Sequence, residues 1–133
     1  MQTESVYDRM TNAEKEVAKL LKDFKIQWSY EQPVFVWDEN KRPRVWTPDF
    51  HLQHFGIYLE VCGSKTFNYN YRRKIYDING YQVIFLHLYK QPNQWKHHLL
   101  KYLRLFTINR YYTLHEIVNN TIKHNHTSTL YVI

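Results

Sequence analysis

The chain has one cysteine, Cys62, three glycines and four prolines, and these scarcities exclude several classes of protein at once. A single thiol makes no internal disulfide and no zinc knuckle, so a reducing, intracellular (cytoplasmic) setting is expected. So little Gly and Pro is incompatible with collagen-like or low-complexity chains. No apolar run approaches the ~20 residues that cross a bilayer, and no membrane partner is expected. The opening MQTESVYDRM lacks a basic start followed by an apolar stretch, so no signal peptide is expected. There is no HExxH, CxxC or Gly-rich phosphate loop, which argues against zinc peptidases, structural zinc and nucleotide-binding folds.

Aromatic and basic residues are plentiful. Hydrophobic residues make up 44% of the 133 positions and aromatics 17%, which is enough for one domain with a real core. Eighteen Lys and Arg against twelve Asp and Glu leave a formal charge of +6. Cations neutralise phosphates and flat rings stack on bases, so a nucleic acid is a reasonable partner. The alternative is an ordinary basic domain whose charges serve solubility.

Thr11-Asn12-Ala13-Glu14 is a capping box, and Val17, Leu20, Leu21 and Phe24 follow at helical spacing, which predicts a helix over about 12–24. Extended segments follow, with alternation at Ile26, Trp28 and Tyr30 and an apolar run from Val34 to Trp37. A polar turn over 38–43 leads to a strand from Arg44 to Leu52, then a turn at 54–56 and a buried strand, Ile57 to Cys62. Residues 68–79 suit a helix closed by Asn79-Gly80, and 82–88 a second buried strand parallel to the first. A helix opened by Pro92 is expected to run to about 105. The order α-β-β-β-α-β-α predicts an α/β fold, one mixed sheet flanked by helices. Residues 1–106 read as the core and 107–133 as an extension. In that extension Thr113–Glu116 resembles a second capping box, opening a helix to about 123, and 129–133 suits an edge strand.

The chemistry concentrates in two stretches, Trp46-Thr47-Pro48-Asp49-Phe50 and Ile57-Tyr58-Leu59-Glu60-Val61-Cys62-Gly63. They sit on neighbouring strands about 4.8 Å apart, so Asp49 and Glu60 can converge on one cation. Pro48 lacks a ladder donor and favours a strand distortion that aims Asp49 away from the core. Glu60, among apolar neighbours, needs a partner, which is either a hard cation such as Mg²⁺ or an ion pair to Arg44 or another edge cation. Arg72 and Arg73 open the next helix near the acid-bearing strand end and are candidate phosphate contacts. Cys62 reads as a small core residue. His97-His98 reads as a surface pair, and His124 and His126 as part of a solvated tail.

Pro48-Asp49 followed by Glu60-x-Cys62, in this order of elements, resembles the PD-(D/E)XK nuclease superfamily with its restriction-endonuclease-like fold. Within it, Thr11-x-x-Glu14, Pro48-Asp49-Phe50 and Glu60-Val61-Cys62-Gly63 are similar to small stand-alone endonucleases of the mismatch-repair and transposon-end-cutting type. The resemblance covers roughly residues 10–105. It implies a Mg²⁺-dependent DNA endonuclease, with Mn²⁺ able to substitute, in which Asp49, Glu60, the Val61 carbonyl and Glu14 serve the metal. It also implies a homodimer, for which the apolar and aromatic residues of the last 27 positions, among them Tyr111, Tyr112, Leu114, Ile117, Val118 and Leu130 to Ile133, offer a surface. The family places a lysine where this chain has Cys62. Lys65 and Lys74 are the candidates for a migrated catalytic lysine, Lys65 doubling as a phosphate contact. The alternative is a nucleic-acid-binding protein that keeps the fold with impaired catalysis.

Overall fold

The computed structural model describes residues 5–90 and 93–125. The strand expected over 129–133, with His126 and Pro92, lies outside them. A 3₁₀ turn, Val6–Arg9, leads to α1, Asn12–Asp23. Its capping box is formed as the sequence predicts. Thr11 Oγ1 accepts from the Glu14 N–H at 3.1 Å, and Glu14 Oε1 accepts from the Thr11 N–H at 2.8 Å. Val17, Ala18, Leu20 and Leu21 form its buried stripe.

The strands are β1 (Ser29–Tyr30), β2 (Val34–Trp37), β3 (Pro43–Trp46), β4 (Phe50–Leu52), β5 (Ile57–Cys62) and β6 (Val83–His87). They form a mixed sheet ordered β1-β4-β5-β6 and a separate β2-β3 hairpin. The expected strand from Arg44 to Leu52 is therefore two strands in two sheets. The break falls at Thr47-Pro48-Asp49, where proline has no N–H to continue a ladder. The expected single sheet becomes two for the same reason, and the extended run at 26–30 shrinks to two residues.

β5 is central, antiparallel to β4 and parallel to β6, and α2 (Asn70–Ile78) makes the crossover. This confirms the parallel pairing that a helical connection requires. On the α2 side, Val34, Val36, Cys62, Ile75, Tyr76 and Phe85 form a buried cluster. Each large side chain taken out of water there contributes about 1.5–3 kcal/mol. Asn79 fastens the hairpin to α2: its Oδ1 accepts from the Trp37 N–H at 2.8 Å and its Nδ2 donates to the Trp37 carbonyl at 2.9 Å.

α3 is continuous from Gln94 to Asn125. The two helices expected here are one, and Thr113 is a mid-helix residue rather than a cap. No Gly or Pro lies between 106 and 113 to stop the helix, so a local capping pattern has nothing to cap. The chain divides into two compact units at Leu99/Leu100. Trp95 and Leu99 are buried in the first. The second exposes Tyr111, Tyr112, Leu114, Ile117 and Val118. No helix among the described residues is long and apolar enough to cross a membrane.

Candidate functional site

The pairing of β4 with β5 ends with Phe50 opposite Leu59, and the same register continued by one residue would bring Asp49 opposite Glu60, whose charge acts on Asp49. Directly opposed residues of an antiparallel pair share a face. Asp49 stands just where proline ends the ladder, so its side chain replaces a missing ladder acceptor: Oδ2 takes the Val61 N–H at 2.6 Å. Its carbonyl accepts from the Glu31 N–H at 3.0 Å, which ties it to the end of β1. Of Val61, the N–H is thus the group that the structure links to the acids, whereas the resemblance nominates the carbonyl.

Glu60 is 8% exposed. Its Oε1 accepts from Arg72 Nη2 at 3.2 Å and from the Tyr76 hydroxyl at 3.0 Å. Arg72 Nη2 also donates to Tyr76 Oη at 2.9 Å, closing a triangle. The Arg72 guanidinium lies 4.5 Å from the Trp46 ring centroid, a cation–π contact that holds it in place. Arg72 is therefore the cation that compensates Glu60. The expected alternative partner, Arg44, instead bonds Asp38 in the hairpin turn at 3.1 Å.

Glu14 does more than cap. It is buried, accepts from the Tyr30 hydroxyl at 3.1 Å, and acts electrostatically on Asp49. Glu16 is exposed on the same helix. Three carboxyls, from α1, β4 and β5, thus share one partly dry region. Burial pushes Asp49 up to about 8, against a backbone hydrogen bond from Val61 that lowers it, and the Glu60 and Glu14 charges add to the rise. Burial also holds Glu60 above the usual carboxylate range in spite of the guanidinium beside it. Desolvation lowers Arg72, but Glu60 and Tyr76, through charge and hydrogen bonds together, outweigh it, so Arg72 stays charged.

Carboxylate oxygens are the donor type that a hard divalent cation prefers. The hydrogen bonds just named fall on one oxygen of each carboxyl: Glu14 Oε1, Asp49 Oδ2 and Glu60 Oε1. Such oxygen donors suit Mg²⁺, whose charge would offset the burial and the repulsion that hold Asp49 up. Among the described residues, no three His, Cys, Asp or Glu side chains are grouped so that they could hold a metal ion.

Compared with models of known families, with curated proteins and with solved structures, the chain matches none.

The other expected site residues are more dispersed. Lys65 is exposed in the loop after β5. Lys74 is exposed on α2, and its charge acts on Glu39 of the hairpin turn. Arg73 lies beside Arg72 in sequence, but its guanidinium is 5.0 Å from the Phe85 ring. Tyr76, Trp46 and Tyr30 were not among the expected residues. The spacing of Arg72 and Tyr76, four apart on one helical face, was the available signal.

Asp49 makes stability depend on pH in a direction that can be worked out. Its folded-state value is raised, so the native state holds a proton more tightly than the unfolded chain. The stabilisation is complete below the ordinary value of 3.8 and is lost as pH rises through about 8. The melting temperature in chelator is therefore expected to fall from about pH 5 to about pH 9. Millimolar Mg²⁺ should raise it more at the alkaline end. A melting temperature that climbs across this window in chelator would contradict the carboxyl cluster.

Cys62 follows Glu60 by two residues on β5 and is fully buried. Burial, with the Glu60 charge, pushes its thiol up to about 12, so it remains neutral. Cys62→Ala is expected to cost about 1–2 kcal/mol, read by urea unfolding, with little change in any activity. Cys62→Lys should unfold or strongly destabilise the protein, because an ammonium would enter the cluster of Val34, Val36 and Phe85. A stable Cys62→Lys protein with raised activity would show instead that the position opens to solvent.

Proposed function

We propose that the protein is a Mg²⁺-dependent endonuclease that hydrolyses phosphodiester bonds in DNA, built on a restriction-endonuclease-like variant of the α/β plan. The observation that carries this reading is the pair Asp49 and Glu60, joined by Glu14, with Asp49 held near neutrality by burial and by its fellow acids. The element order and the basic charge support it.

Asp49, Glu60 and Glu14 would hold the cation, with the Val61 carbonyl alongside. When bound, that ion polarises a phosphodiester and makes a water more acidic. The remaining roles belong to the chain. Val61 fixes the Asp49 carboxylate through its N–H. Arg72 and Tyr76 hold Glu60 in one orientation and keep positive charge beside the acids. The Arg72 Nε–H is buried without a hydrogen-bond partner, an unmet donor suited to an anion that enters this region. Arg73 and Lys65, both exposed cations, would steer a phosphate backbone.

Incubating the protein with plasmid, single-stranded DNA and RNA in Mg²⁺ or Mn²⁺ tests the reading. DNA cleavage in Mg²⁺ that chelator stops is the expected result. Salt-sensitive binding without cleavage in either metal would favour the second reading, a nucleic-acid-binding protein with impaired chemistry. The burial of Cys62 where the resemblance calls for a lysine is the observation behind that alternative.

A further inference from the structure

Between α2, the end of β6 and the start of α3, the first unit contains a cavity of about 320 Å³. Arg73, His87, Lys90 and His98 line it, with Gln94 as a further polar group and Phe85 and Trp95 as its apolar part. No Asp or Glu is among its described lining residues. The first turn of α3 has no acid either.

Two permanent cations and two imidazoles share one concavity with no described acid among them, a lining that favours an anion. Arg73 is held over Phe85 rather than paired with a carboxylate. The Tyr89 hydroxyl occupies His87 Nδ1 at 2.9 Å, and the Tyr69 ring packs 5.7 Å from the imidazole, which leaves Nε2 as its remaining polar atom. The cavity also lies at the carboxyl end of β6, which is parallel to β5. Open α/β sheets present ligand crevices at that end.

We propose that this cavity binds a phosphomonoester group. A monoester carries about −1.5 to −2 at neutral pH, which matches the two permanent cations Arg73 and Lys90, whereas a diester carries about half of that. Its three terminal oxygens suit a guanidinium fork, an ammonium and imidazole N–H groups converging from several sides. The volume lies at the lower end of the range for small-ligand sites, which suits a phosphate with part of an attached sugar or base against Trp95. Burial and the charges of Lys90, Arg73 and His98 hold His87 below its ordinary value, and a bound dianion should reverse that. This site does not depend on whether the carboxyl cluster cuts DNA.

The test is made on the full chain in chelator, so that cleavage plays no part. The probes are inorganic phosphate, a nucleoside 5′-monophosphate, and one oligodeoxynucleotide with a 5′-phosphate or a 5′-hydroxyl. Binding is read by calorimetry and by the imidazole resonances of His87 and His98. At least one phosphomonoester should bind and move both imidazoles. Arg73→Gln and Lys90→Gln, both at exposed positions, should each weaken it about tenfold or more, the scale of one charge-assisted hydrogen bond. A phosphorylated strand that binds about tenfold more tightly than its hydroxyl form identifies a strand end as the source. Preference for the small probes identifies a free phosphate or nucleotide. If no phosphomonoester moves the resonances, or if both variants bind as well as the parent, the proposal is overturned.

Discussion

Asn in place of Asp49 is expected to lower Mg²⁺-dependent cleavage by ~10²–10³-fold while making the metal-free protein more stable at alkaline pH. The two effects share one cause. Asparagine keeps an oxygen to accept the Val61 N–H, so the local fold survives, but it supplies no negative charge to a cation. It also removes the group that holds a proton up to about 8. The pH-dependent fall in melting temperature should therefore flatten in the variant, with little difference from the parent near pH 5. Nicking of supercoiled plasmid and thermal melts from about pH 5 to about pH 9 measure the two effects separately. Cleavage at the parental rate would place the metal elsewhere. A less stable Asp49→Asn protein at about pH 9 would remove the electrostatic argument instead.

Arg72→Ala is expected to reduce both stability and turnover, and the two losses come from one contact. The pair with Glu60 is intermediate between surface and core, with 25% and 10% of the two side chains exposed. Its loss is therefore put at roughly 1–3 kcal/mol, below the cost of breaking a fully buried pair. Turnover should fall by ~10²-fold, because Glu60 loses its orientation and the region its positive charge. Arg72→Lys keeps the charge but not the flat stack on Trp46 or the shared donor to Glu60 and Tyr76, so it should recover turnover only in part. Tyr76→Phe separates orientation from charge, since it removes the hydroxyl's two hydrogen bonds, to Glu60 and from Arg72, and leaves the ion pair. By contrast, Lys65→Ala and Lys74→Ala should leave turnover at saturating substrate within a few-fold. If Lys74→Ala shows the large drop and Arg72→Ala does not, the cation has been assigned to the wrong side chain.

The sequence revealed the outer frame well. The capping box at Thr11 and Glu14, the hairpin turn over 38–43 and the apolar strands β5 and β6 each carry a local signal. The failures have local causes too. Alternation runs through both Pro43–Trp46 and Phe50–Leu52, and a period of two does not say which sheet a strand joins. Thr113–Glu116 has the pattern of a helix start, but with no breaker before it the preceding helix simply continues. In the site, Asp49 and Glu60 were visible as a spaced pair. From its own residues Glu14 reads only as a cap, and its place beside the acids comes from the resemblance alone, because the approach of α1 to Asp49 depends on how that helix docks. Arg72 was placed near the acids but not upon Glu60, since that contact requires α2 to lie across the sheet.

The way the three carboxyls are distributed along the chain has a consequence for the order of folding. Glu60 meets Arg72 and Tyr76 across only 12 and 16 residues, so this triangle closes at small entropic cost. Glu14 belongs to a helix at the other end of the core segment, and its arrival brings a third acid beside two already in place. Docking of α1 therefore runs against rising repulsion and belongs after the rate-limiting barrier. Glu14→Gln, which retains the capping pattern, should slow unfolding and leave the folding limb of the chevron nearly unchanged. A faster folding limb would mean that α1 is already seated at the barrier.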